Sequence, residues 1–134
     1  MSYALAAPLQ MAVYQRLASD DALNALVAGN IFDAMPQGTL PRLYVALGAE
    51  TAKDASDASG AGAWHELVIS VVTENEGFQT AKEAAAAISD ALDRADLALT
   101  RGRLVGLWFR RATAARDSGL RRIDLTFRAR VEDV

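Results

Sequence analysis

The chain contains no cysteine, which excludes disulfide staples and thiol chemistry alike. It has a single histidine, His65, and without cysteine that leaves too few ligands for a zinc site. Lysine is scarce, with two against twelve arginines. No window approaches roughly eighteen consecutive apolar residues, so no membrane span is expected. The opening MSYALAAPLQMAVYQRL lacks the basic region of a secretory signal and runs straight into a helical pattern. With the absence of cysteine, this suits a cytoplasmic setting.

Catalytic patterns are missing as well. No serine has a histidine partner at triad spacing, and phosphate-loop sequences are absent. Gly60-Ala-Gly62 precedes a strand rather than a helix, the wrong context for a phosphate cradle. Asp54, Asp57, Glu74 and Glu76 do not follow an EF-hand pattern. Asp90 and Asp93 share one exposed helix face, which solvation explains. The expectation is a protein with no catalytic, cofactor or metal site, and not an enzyme.

What remains is a chain of 134 residues, enough for one domain with a real core. It is 51% hydrophobic, but much of that is alanine, so apolar volume is modest. The net charge of −3 hides an asymmetry. Residues 1–100 carry 5 basic and 13 acidic side chains, giving −8. Residues 101–134 carry 9 arginines against Asp117, Asp124, Glu132 and Asp133, giving +5. That basic end is either a solvated strand face or a surface that meets an acidic partner or nucleic acid.

Leu9, Val13 and Leu17 recur at helical spacing behind Pro8, with Ala12 widening the stripe. Ser19 or Asp20 then caps a second short helix with Leu23, Leu26 and Val27 inward, and Gly29 is placed to end it. Ile31-Phe32 is a brief extended piece, and Leu43–Leu47 is a strand closed by Gly48. Ala49–Ala63 is small, polar and aperiodic. It predicts a loop of 15 residues, mobile alone and ordered by a neighbour. From Trp64 to Leu92 the chain reads as strand, turn at Asn75-Glu-Gly77, and helix. Thr80 and Glu83 have capping-box spacing. Ala81, Ala84, Ala85, Ile88, Ala91, Leu92 and Ala95 make one apolar stripe.

Residues 103–131 form a long hairpin. Gly106 marks a bulge or close approach, and Ala114–Gly119 supplies the turn. Ile123, Leu125, Phe127, Ala129 and Val131 point inward, while Arg122, Asp124, Thr126, Arg128 and Arg130 point outward. The helix between Thr73 and Arg103 allows those two strands to be parallel neighbours. The whole reads as an α+β domain over residues 1–134. It has a mixed or antiparallel sheet of about four to five strands, with helices mainly on one face. Arg110, Arg111, Arg122, Arg128 and Arg130 are the candidate interface residues. They lack the aromatic interleaving of a single-strand binder, because Phe127 belongs inside and the face of Trp108 is open.

Several phrases in order carry a resemblance. They are the helix LQMAVYQRL, then Asp20-Asp-Ala-Leu23-Asn-Ala-Leu26, then Gly29-Asn-Ile-Phe-Asp-Ala-Met-Pro36. Pro41-Arg-Leu-Tyr-Val-Ala-Leu-Gly48 follows, then the His65–Val72 strand, Gly77–Leu92, and the closing Phe127–Glu132. The set resembles the tail-completion or tail-terminator proteins of long-tailed phages and gene transfer agents, over nearly the whole chain. The alanine- and arginine-rich composition is similar to that of an alphaproteobacterial element.

The resemblance implies a structural protein without catalytic residues. It implies a ring, usually a hexamer, at the head-proximal end of a tail tube. Such a ring ends tube polymerisation and docks a head-side connector or stopper, and the DNA passes through its lumen without sequence-specific binding. Its place is the particle, with assembly in the bacterial cytoplasm. Another head-tail joint (a stopper or adaptor) and a small nucleic-acid-binding module are the alternatives.

Overall fold

The computed structural model describes residues 3–57, 60–74 and 78–133. Its elements in chain order are α1 (Ala6–Ala18), α2 (Asp21–Val27), β1 (Ile31–Phe32), β2 (Leu43–Asp54), β3 (Ala61–Thr73), α3 (Gln79–Leu92), β4 (Arg103–Asp117) and β5 (Leu120–Asp133). The five strands make one mixed sheet in the order β1-β2-β3-β5-β4, with the helices packed on one face. The α+β expectation therefore holds. No helix among the described residues is long and apolar enough to cross a membrane.

β3 is the centre, antiparallel to β2 on one side and to β5 on the other. β4 pairs only with β5, again antiparallel, so β3 and β4 run in the same sense with β5 between them. They are parallel but not neighbours, because the hairpin return fills the gap that the α3 crossover leaves.

Alternation along the strands sets the core. Leu67, Ile69 and Val71 of β3 and Ile123, Leu125 and Phe127 of β5 are buried beneath the helices. They meet Leu9, Val13 and Leu17 of α1, Leu23 and Val27 of α2, and the Ala81–Ala84–Ala85–Ile88 stripe of α3. Alanine keeps that stripe thin, so α3 can lie across three strands at once.

The corner between α1 and α2 is built from polar residues. Asp20 caps α2 by accepting from the Leu23 N–H at 2.9 Å. The Asn24 amide donates back to the carbonyls of Ala18 at 3.0 Å and Asp20 at 2.8 Å. Ala28 itself takes the left-handed turn that ends α2 (φ 54°), and Gly29 follows in the same region (φ 76°). Asp20→Ala is expected to lower unfolding free energy by about 1 kcal/mol, read as a shifted urea midpoint with unchanged slope.

Three sequence expectations are corrected. The Ala49–Ala63 loop is largely strand, since β2 runs on to Asp54 and pairs with β3 from Leu67 back to Ala63. Side chains 51–54 are all exposed, so this stretch has no hydrophobic period to read; backbone pairing alone holds it. Thr80 is not a cap: α3 starts after Phe78 with no side-chain cap, and Glu83 instead accepts from Gln79 at 3.0 Å. Ala114–Asp117 continue β4, and the turn is only Ser118-Gly119, both left-handed (φ 50° and 83°). That two-residue geometry suits the twist of a hairpin. The expected turn at residues 75–77 lies outside the described residues.

Candidate interface on the open face of the sheet

The face of the sheet away from the helices has no cover among the described residues, and β5 supplies its charge. Cross-strand partners share a face, so register places Arg128 between Glu66 of β3 and Trp108 of β4. Arg130 sits between Trp64 and Gly106. The Arg128 guanidinium lies 3.8 Å from the Trp64 ring centroid, and that of Arg130 5.6 Å from it. Trp108 packs beside Trp64 at 6.1 Å between centroids. A ring face attracts a cation without consuming its N–H donors, so the Arg128 guanidinium edge stays available to a partner. Arg130, in contrast, donates Nη2 to the Ala55 carbonyl at 3.2 Å and Nη1 to that of Val131 at 3.4 Å.

Two bulges in β4 assemble the rest. The pairing slips between Leu104 and Gly106 and again between Phe109 and Arg111. The second slip leaves Arg110 as the extra, exposed residue and turns Arg111 to the open face, 3.7 Å from Glu66. Arg110, Arg111, Arg128 and Lys53 thus rim a shallow basin of about 260 Å³ floored by Trp64. Among the described residues Glu66 is the one acid in its lining, against Lys53, Arg110, Arg111 and Arg128, so the basin is net basic.

Arg122 does not join them. It lies about 20 Å further along β5, at roughly 3.3 Å per residue. Its Nε donates to Asp124 at 2.9 Å, and its Nη2 donates to the Ser70 hydroxyl at 3.1 Å. Ser70 in turn donates to Asp124 at 2.6 Å. This triad is neutralised internally. At the other end of the hairpin, Arg101 holds Asp133 through two bonds of 2.7 and 3.2 Å. That pairing holds the Asp133 carboxyl below its ordinary range. Arg103 is taken by Glu132 at 2.6 Å.

Gly106 matters to the basin because Trp108 folds back over it. A Cβ at that position would stand 2.3 Å from the indole ring. Gly106→Ala is expected to displace Trp108 and cost about 1–3 kcal/mol, measured by chemical denaturation followed in the far-UV.

The lone histidine belongs to the opposite face. His65 is fully buried, with Nδ1 3.1 Å from the Glu50 carboxylate and its ring stacked near Tyr3 at 6.2 Å. Tyr3 donates its hydroxyl to the same carboxylate, which raises the phenol's pKa above its ordinary value. The cluster ties Tyr3, ahead of α1, to Glu50 of β2.

Four of the five candidate arginines therefore gather at one end of the open face, with Arg122 on the same face at the other end, but the sequence reading missed Trp64, Trp108 and Lys53 as their company. Trp64 was legible, since it shares the parity of Glu66. Trp108 was not, because each bulge shifts the alternation by one residue.

The model of the family described as "Tail completion protein gp17" matches residues 11–132. The chain belongs to that family. A solved structure described as "Virion of native gene transfer agent (GTA) particle" contains a chain similar to this tail completion protein, with 61% sequence identity and a TM-score of 0.94. The alignment covers 98% of this chain and 99% of that one. Among curated proteins no match is found. The match confirms the resemblance drawn from the ordered phrases and marks this tail completion protein as a structural protein of the phage-tail type.

Proposed function

We propose that this tail completion protein forms a ring, six copies by family resemblance, at the head-proximal end of a tail tube. The ring ends tube polymerisation and joins the tail to the head-side connector, with DNA passing through its lumen without sequence-specific contact. Its site of action is the particle, as for its 61% identical relative in a gene transfer agent virion. We assign it no catalytic role.

The open Arg–Trp face carries the reading. The domain has a complete core on the helical side, while the other side presents Arg128 and Arg130 on Trp64 beside Arg110 and Arg111. That surface is suited to carboxylates of an acidic tube or connector subunit, for which arginine forks have the right geometry. Arg122 shapes the same face from within.

The test is imaging of particles from a strain lacking the gene. Overlong or unjoined tubes are expected. Tail-less heads beside free tails of normal length would instead place the protein on the head side, as a stopper or adaptor.

A further inference from the structure

Both edges of the sheet are half closed, and the closed halves lie at diagonally opposite corners. On β2, β1 pairs only at Val45 and Ala46, so from Leu47 to Lys53 no strand borders the outer side among the described residues. On β4, the segment after α3 docks along the outer edge. The Arg94 N–H donates to Leu107 O at 2.7 Å, and the Asp93 carboxylate accepts from Phe109 N–H at 2.9 Å. Beyond Arg110 that edge is bare among the described residues, and residues 111–117 are exposed throughout. The sheet's own register gives the levels: Thr51 stands level with Trp108, and Val45 with Ala114. Each bare half is thus level with a capped one.

Long bare edges invite pairing, and neither bare half contains proline. From these edges we propose that copies of this chain join head to tail through the sheet. The Leu47–Lys53 edge of one protomer pairs antiparallel with the Arg111–Asp117 edge of the next. The inference rests on the ring reading above and names its subunit joint. Strand sense is correct, because β2 and β4 of one sheet run antiparallel. Residues that pair must share a face. Setting Thr51 opposite Ala115 does this, brings Glu50 opposite Arg116, and keeps Lys53 away from Arg111.

That register is also the one a closed wall needs. Thr51 shifts from the level of Trp108 to that of Ala115, six regular steps past the Arg110 bulge, or about 20 Å at roughly 3.3 Å per residue. Four strands at about 4.8 Å span roughly 19 Å, so the stagger tilts the strands by about 45°. Closed barrels tilt by about 35–45°. Unstaggered pairing would clash with β1 and the Asp93–Arg94 segment. The arginine faces of all copies then form one continuous surface.

The cysteine-free sequence allows a clean test. Two double variants, Thr51→Cys with Ala115→Cys and Ala52→Cys with Ala114→Cys, sample both kinds of antiparallel site in the same register. Each is oxidised and run without reductant, and the reduced protein is weighed by native mass spectrometry. A ladder of cross-linked multimers from a double variant, absent from every single variant, supports the proposal; its top band counts the ring. Intact rings without a ladder from either pair overturn the edge joint and leave the ring standing. A dimer from the Ala114→Cys or Ala115→Cys single variant overturns it in favour of twofold β4 pairing. Monomers throughout, with no ladder, overturn joint and ring together.

Discussion

Phe127→Ala is expected to cost about 3–5 kcal/mol and lower Tm by on the order of 10 °C or more. Phe127 is fully buried on the inner face of β5, opposite Leu67 of β3. Phe109 meets it edge-on at 5.8 Å and 74°. Truncation leaves a cavity bordered by strands on both sides, and strands inside a paired sheet cannot collapse into it. Since a domain of this size has a stability of about 5–15 kcal/mol, the variant stands near the edge of folding. Phe127→Leu, which keeps most of the apolar volume, is expected to lose roughly 1–2 kcal/mol. Urea titration of both variants decides it. Equal small losses would mean that the hairpin is held by backbone pairing rather than by this contact.

Reversing Arg128 and Arg130 to glutamate is expected to leave the fold intact and abolish docking. Both side chains are half-buried on the open face, packed on Trp64 rather than in the core. An interface arginine of this kind contributes about 2 kcal/mol, so the pair is worth on the order of 1,000-fold in affinity for an acidic partner. Co-sedimentation with tail tubes at several salt concentrations reads the loss. Arg122→Glu should behave differently. It removes the cation shared by buried Ser70 and Asp124, so stability falls with no selective loss of docking. Undiminished docking of the Arg128/Arg130 variant would remove those residues from the interface. Normal assembly with altered DNA retention would place them on the lumen.

The sequence was most legible where a side-chain period and a buried face coincide. Ile123, Leu125, Phe127, Ala129 and Val131 alternate without interruption and are all buried. The α3 stripe and the Leu9–Val13–Leu17 row were equally plain. Legibility failed where backbone hydrogen bonds alone hold the chain. Thr51–Asp54 pair with β3 although nothing on them is buried, so composition reads as loop. It failed again at the bulges, which moved Trp108 to the arginine face and made Arg110 the odd residue. Glu50 as the partner of His65 was hidden for the same reason as the strand that carries it.

The two tryptophans of this chain, Trp64 and Trp108, both stand on the open face and in contact with each other. The helical core has none. Intrinsic fluorescence therefore reports on the arginine-bearing open face and says little about the interior. Engagement of a partner should shift and polarise the whole emission without any attached dye. In a thermal melt, the emission tracks the arginine wall, and amide exchange at Leu125–Phe127 tracks the core. A gap between the two curves would measure how far the wall loosens before the domain unfolds.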